Sequence, residues 1–468
     1  MVFSSLSFLL LFLPLLLIFY FIGSGLKWKN AVLLLFSLVF YAWGEPKWIL
    51  CMLGATIVNF GAAFLIDRAK TIRLKRAYLA LGVAATLGAL FWFKYASFFL
   101  STVFSVFGVD RAVPSVRLPI GISFYTFQIL TYAVDVYRGK VPVQRNFAKL
   151  LLYVSCFPQL IAGPIVQYAD IAAQLDERTT TLTGFSEGLG RFSVGLAKKV
   201  LLANLCGKAV ETLLPEGAAL SVAGAWLSGL MYTFQIYFDF SAYSDMAIGL
   251  GRVFGFTYRE NFRYPYISDS VSEFWRRWHI SLGSFFRDYV YIPLGGNRQG
   301  TVKTVRNLLI VWILTGLWHG ASWNFVVWGL YYGFWILLER FALNKVLPHI
   351  PKAIRVLFTF FLAMTGWILF YHTSLKEGFS HILALFGGTG AWTDPSVSTA
   401  LSEYTVLPLI AAVCVLPIVP AVSAWAQKRP AREKALNVVV PILETALFVL
   451  SIAFLVGQSY NPFIYFRF

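Results

Sequence analysis

The chain has 468 residues; 58% are hydrophobic and 13% charged, and 39 Lys and Arg stand against 22 Asp and Glu for a net charge of +17. Soluble domains carry about 25% charged residues, so this composition excludes an ordinary soluble globule, and its apolar content excludes a disordered chain. The basic residues lie in short breaks between apolar runs, as in cytoplasmic loops, and not on a nucleic-acid face. The expected class is an all-α polytopic protein embedded in a lipid bilayer.

The first run, Phe3 to Ile22, is nearly all Leu and Phe, with no basic segment before it and no small-residue cleavage site after it. It reads as a retained span and not a removed leader. Further runs follow at 30–43, 47–66, 77–107, 117–136, 147–165, 186–206, 219–250, 304–318, 321–347, 354–371, 404–426 and 436–456. Several are too short or interrupted to cross a core about 30 Å thick, which leaves about eleven spans. The run at 147–165 is broken by Pro158 and Pro164 and is expected to be re-entrant, because freed backbone at membrane depth must be covered by protein or line a cavity. Basic loops follow the first, third and fifth runs and precede the runs beginning at 304 and 436. Placing them in the cytoplasm puts the N-terminus outside. With no long linker and no internal repeat, residues 1–468 read as a single membrane domain.

Two stretches are amphipathic. Residues 271–288 place Val271, Phe274, Trp275, Trp278, Leu282 and Phe285 on one helical face and Glu273, Arg276, Arg277, Ser284, Arg287 and Asp288 on the other. That pattern predicts one helix lying along the membrane interface. Residues 374–387 form a shorter piece of the same kind.

Chemistry has few places to sit. Cys51, Cys156, Cys206 and Cys414 lie in or beside apolar stretches with no CxxC pair, so they read as buried thiols, and no metal site is expected. Of the five histidines, His349, His372 and His381 suit interfacial or solvated positions. His319 lies thirteen residues past Arg306, the nearest basic anchor, hence about 20 Å beyond it along a helix and deep in the membrane. Gly316 and Gly320 flank it at helical spacing, where a neighbouring backbone or a ligand can approach closely. Function and a satisfied structural histidine both remain open for it. His279 lies at the edge of the amphipathic apolar face beside Arg276 and Arg277, as an interfacial anchor or as a lining residue of a site. Asp239 and Asp245 are spaced off one helical face, so they are expected to cap broken helices or pair with Arg; a proton or ion pathway is the alternative. Gly249, Gly251 and Gly255 do not fit a GxGxxG spacing, and no P-loop, HExxH or GxSxG is present.

Two segments, FWRRWHISLGSFFRDYVYIPLGGNR (274–298) and LTGLWHGASWNFVVWGLYYG (314–333), resemble the membrane-bound O-acyltransferase (MBOAT) family, and within it the alginate O-acetyltransferase, AlgI-like branch. LPIGISFYTFQ (118–128), DVYRG (135–139), FPQLIAGPIVQY (157–168), YTFQIYFDFSAYSDMAIGLG (232–251), NPFIYFRF (461–468) and the opening VFSSLSFLLLFLP (2–14) extend the resemblance over essentially the whole chain. The resemblance implies a ring of membrane helices around a thin centre with funnels from both faces and a connecting tunnel. It implies His319 as the catalytic histidine and His279 at the family's second histidine position.

On that resemblance, His319 is the general base that activates a hydroxyl toward an acetyl thioester and then protonates the leaving thiolate. His279, Trp318 and Asn324 are candidate oxyanion donors. Arg276, Arg277 and Arg287 are candidates for the phosphates of coenzyme A or of an acyl-carrier arm. No permanently bound cofactor is implied; acetyl-CoA or acetylated acyl-carrier protein is the donor substrate. The implied partner is a periplasmic or extracellular SGNH-type acetyltransferase, the implied location the cytoplasmic (inner) membrane of a bacterium, and the implied product an O-acetylated envelope polysaccharide such as alginate. The competing readings are a proton-coupled transporter or flippase using Asp239, Asp245 and His319, a docking scaffold, and a family member that acylates lipid or protein.

Overall fold

The computed structural model describes all residues except 115, 216–218, 389, 458–459, 461–462 and 465–468. Among the described residues every regular element is helical. Of the C-terminal motif at 461–468, Phe463 and Ile464 are described and the rest lies outside the described residues.

The helices that matter below are α1 (Phe8–Ile22), α2 (Leu26–Gly44), α3 (Ile49–Arg68), α4 (Ile72–Val106), α5 (Ile122–Tyr137), α6 (Phe147–Ser155), α7 (Leu182–Ala197), α8 (Val222–Val253), α9 (Val271–Arg277), α10 (Ile280–Phe286), α11 (Thr301–His319), α12 (Trp323–Phe341), α13 (Lys352–Tyr371), α14 (Leu375–Ala384), α15 (Pro395–Glu403), α16 (Leu407–Cys414) and α17 (Pro430–Gly457). Among the described residues, α3, α4, α13 and α17 are long and apolar enough to cross a membrane, and two bent pairs, α12 with Leu343–His349 and α15 with α16, raise the number to six. Others fall short for visible reasons: α1 is only 15 residues long, and α11 carries Lys303 and Arg306 within its first turns.

The chain forms two compact units, residues 1–192 with 245–259, and residues 193–244 with 260–468. In the first unit, α3 and α4 are joined by polar side chains: Asn59 Nδ2 donates to Thr86 Oγ1 at 2.6 Å. Such a bond fixes helix register where packing against lipid would be indifferent to it. The expected break near Pro158 is present. α6 ends at Ser155, a short turn spans Phe157–Leu160, and the whole stretch is buried in protein. The freed backbone is satisfied locally, because Phe157 N–H donates to Ser37 Oγ at 3.2 Å and the Tyr153 hydroxyl donates to the Val166 carbonyl at 2.8 Å. Asp245 is held by Arg191 of α7 at 2.8 Å, as the sequence led one to expect.

The second unit is built around aromatic rings. Trp328 and Tyr332 of α12, Trp367 of α13, Trp312 of α11 and Trp278 form one buried cluster. Small residues let α11 and α12 approach within it. A Cβ at Gly316 would collide with the Phe325 carbonyl oxygen, and one at Gly329 with the Trp312 carbonyl oxygen. So the glycine beside His319 admits a neighbouring backbone, the first of the two options open in the sequence.

The amphipathic segment 271–288 differs from expectation. It is not one helix along an interface: α9 ends at Arg277 and α10 starts at Ile280. Its apolar residues Val271, Phe274, Trp278, Leu282 and Phe285 are buried by protein, and Trp275 packs edge-on to Trp312 and Tyr332 with centroids 4.8 Å away in each case. Amphipathicity says only that one face avoids water; here protein rings take the place of lipid.

Candidate active site

His279 sits at the break between α9 and α10, in the left-handed region at φ 46° and ψ 53°. Histidine enters that region more readily than bulkier residues, but the conformation still costs about 1–2 kcal/mol, so the surroundings must impose it. They do so through residues 261–263. Arg263 N–H donates to the Arg277 carbonyl at 2.9 Å, and Ile280 N–H donates to the Asn261 carbonyl at 3.0 Å. The Asn261 side chain, fully buried, accepts at Oδ1 from Ser281 N–H at 3.1 Å and from the Ser281 hydroxyl at 2.9 Å, with His279 Nδ1 3.2 Å away. Its Nδ2 donates to Ser244 Oγ at 3.0 Å. Nothing in the sequence pattern singled out Asn261; the signal is a long-range backbone pairing, visible only in the fold.

The His279 imidazole is 1% exposed and caged by rings: Phe240 edge-on at 4.6 Å and Trp318 at 5.8 Å between centroids. Burial pushes its pKa down to about 3. Its Nε2 has no hydrogen-bond partner among the described residues. The ring lines a cavity of about 200 Å³ bounded largely by Trp275, Leu282, Phe286, Leu308, Val311 and Trp312, with Arg287 and Tyr291 also on its wall.

His319 is the last residue of α11. Trp318 at 5.0 Å, Trp328 at 5.0 Å and Phe370 at 5.2 Å surround its ring. It lines a second, smaller cavity of about 20 Å³, shared with Asp239, Phe240, Trp278, Trp367 and Ile464 and large enough for about one water. Asp239 is engaged: Lys199 Nζ lies 2.5 Å from Oδ1 and Ile464 N–H donates to Oδ2 at 3.0 Å. Both members of this pair are 3% exposed. The carboxylate is therefore a structural counter-charge beside the cavity, and the expected arginine partner is a lysine.

His279, Trp318 and His319 thus come together, with Phe240 touching the His279 ring and lining the His319 cavity. Arg287 lies on the wall of the larger cavity and pairs with Asp288 at 2.8 Å. Arg276 and Arg277 line neither cavity. Arg277 is bound to Glu273 at 2.6 Å, and Arg276 is exposed with Nε donating to the Ser272 carbonyl at 3.3 Å. Asn324 lines neither cavity as well; its Nδ2 donates to the His372 carbonyl at 2.6 Å.

The other histidines divide. His349 is exposed, with Nδ1 2.9 Å from the Lys345 carbonyl. His381, expected at an interface or in solvent, is 4% exposed, because it lies on the face of α14 shared by Gly378 and Ala384. Its Nδ1 is 3.0 Å from His372 Nε2, and its Nε2 donates to the Ala225 carbonyl at 3.1 Å. Burial lowers both imidazoles to about 4.

Residues 89–374 match the model of the membrane-bound O-acyltransferase family. A probable alginate O-acetylase AlgI of Pseudomonas putida is 40% identical over the full length of both chains, and one of Azotobacter vinelandii is likewise 40% identical over both full lengths. The peptidoglycan O-acetyltransferase of Helicobacter pylori is 34% identical over 83% of this chain and 80% of its own.

Proposed function

The chain belongs to the membrane-bound O-acyltransferase family and is an O-acyltransferase, and we propose that it carries an acetyl group from a cytoplasmic thioester across the bacterial cytoplasmic membrane for O-acetylation of an exported envelope polysaccharide of the alginate kind. The observation that carries this reading is His319 at the end of α11, ring-caged at a small cavity, with His279 on a larger cavity and Trp318 in contact with both rings. Similarity to alginate and peptidoglycan acetylases supports the substrate class.

The reaction needs few parts. His319 takes the proton of an acceptor hydroxyl as its oxygen attacks the thioester carbon. The tetrahedral intermediate collapses, the C–S bond breaks, and His319 returns the proton to the thiolate, leaving an ester and a free thiol. Trp318 Nε1–H is a candidate donor to the oxyanion. The larger cavity, apolar with Arg287 on its wall, suits the pantetheine arm of acetyl-CoA or of an acetylated carrier protein, the guanidinium meeting phosphate. About eleven spans in a ring, an outside N-terminus and an SGNH-type partner that finishes transfer to the polymer complete the proposal.

The transporter reading fits the side chains less well. Asp239 and Asp245, its candidate relay carboxylates, are held by Lys199 and Arg191 in close ion pairs.

The test uses purified protein in nanodiscs with radiolabelled acetyl-CoA and, separately, acetylated acyl-carrier protein, with and without a periplasmic partner. Consumption of one thioester names the donor, and a long-chain acyl thioester serves as control. Consumption of neither, in the presence of the partner, overturns the proposal.

A further inference from the structure

The family resemblance offers His279 a position and a candidate oxyanion role, and the partner of its Nδ1 decides what it can do. Asn261 Oδ1 is the acceptor of that side chain, because a backbone N–H, that of Ser281, points at it from 3.1 Å. An amide oxygen cannot donate, and the Ser281 hydroxyl, 3.4 Å from Nδ1, gives its proton to the same Oδ1, so the His279 nitrogen facing both carries the proton. Neutral imidazole has one N–H. With that proton on Nδ1, Nε2 holds a lone pair, and Nε2 is the nitrogen without a hydrogen-bond partner among the described residues.

From this geometry we infer that Asn261 is a positioning residue: it locks His279 in the Nδ1–H form, so that Nε2 serves a bound substrate as a hydrogen-bond acceptor. The inference rests on the proposed acyl transfer and deepens it. It removes His279 from the oxyanion donors, since a lone pair cannot stabilise a developing negative charge. It assigns Nε2 to an O–H or N–H of the substrate, such as the attacking hydroxyl. The left-handed backbone at His279 belongs to the same device, because Asn261 binds the residue at its carbonyl through Ile280 and at its side chain through Ser281.

The surroundings leave this form undisturbed. The elements packed on the ring present Phe240, Phe262 and Trp318, none ionisable in the working range. Ser244 and Ser281 complete the hydrogen-bonded set around Asn261. The ionisable groups that share its cavity are Arg287, already paired with Asp288, and Tyr291.

An Asn261→Asp variant separates positioning from mere packing. It keeps the shape and puts a carboxylate against Nδ1–H, which favours the imidazolium and fills Nε2 with a proton. The His279 imidazole pKa then rises by about one to three units above its wild-type value, read from the pH dependence of its nitrogen-15 signals. An unmoved midpoint overturns the inference. A second measurement needs no substitution at Asn261. Nitrogen-15 NMR of histidine-labelled wild type, with His279→Gln to assign the signal, is expected to show a protonated Nδ1 and an unprotonated Nε2. The reverse form, or an imidazolium at neutral pH, contradicts it. A His319→Ala control keeps the two claims apart. If wild type transfers no acyl group, the proposed function fails; if His319→Ala still transfers, the role of His319 as base fails; if His319→Ala is inactive while the Asn261→Asp midpoint stands still, only the role of Asn261 fails.

Discussion

The two histidines of the site are held in opposite ways. His319 ends a regular helix and is confined by rings, with Gly316 allowing α12 close behind it. His279 interrupts a helix in a left-handed turn and is fixed by Asn261. Ring contacts confine an imidazole without dictating which of its nitrogens carries the proton. A hydrogen-bonded one is committed to a single tautomer and orientation. Under the proposed function, proton transfer falls to the first and substrate alignment to the second.

The largest effect that can break this contrast is at His319. Replacement by Ala is expected to cost about 10²- to 10⁴-fold in acyl transfer, the range of a lost general base, with an unchanged thermal midpoint. A comparable loss of stability would instead make His319 a packing residue.

Next in size is the buried pair beside the His319 cavity. Lys199→Met leaves the Asp239 carboxylate buried at 3% exposure without its counter-charge and is expected to destabilise the fold by about 3–5 kcal/mol. Lys199→Met with Asp239→Leu should recover most of that, as read by thermal unfolding in detergent. Recovery of stability without recovery of transfer would show that the pair also serves the cavity.

At His279 a smaller effect separates backbone from side chain. Glycine accepts positive φ, so His279→Gly should lower transfer and lose the packing of the imidazole without straining the turn. A β-branched residue such as Val should add about 1–2 kcal/mol of backbone strain to the same loss. Equal stability of the two variants would mean that the turn relaxes.

The smallest effect is pH dependence at His372 and His381. Both are held neutral by burial, with pKa values near 4 against an ordinary 6.5. Between those values the unfolded chain binds protons that the folded chain does not, so stability falls as pH drops from 6.5 to 4. His381→Gln should flatten that slope in a pH series of thermal midpoints.

Much of this was legible in the sequence, and the exceptions share a cause. Apolar runs and their breaks come from local pattern, so the helical class and the interruption near Pro158 could be read directly; Gly316 signalled a close approach, and only the fold shows that a backbone makes it. Asp239 and Asp245 read as helix caps or arginine partners, and the arginine holds for Asp245 alone, since Asp239 pairs with Lys199; isolated charges in an apolar run are too costly to leave alone. The break at His279 could not be read, because the apolar periodicity of Val271, Phe274, Trp278 and Leu282 runs through it unchanged. Asn261 was invisible because its role is set by residues eighteen and twenty positions away. Arg276 and Arg277 look equivalent to Arg287 on a helical wheel, and only the fold separates the one that lines a cavity. His381 misled because a polar residue on an amphipathic helix reads as solvent-facing until its partner, His372, is in place.

The central claim, that an acyl group received on one side of the membrane is delivered on the other through His319, has a direct test. Proteoliposomes of defined orientation would hold the labelled acetyl thioester on the cytoplasmic side and the periplasmic partner with its polysaccharide on the opposite side. The account predicts acetyl ester on the polymer from wild type and none from His319→Ala, with intact vesicles in both cases. Ester formation by His319→Ala, or labelled thioester itself crossing the bilayer unchanged, would contradict it.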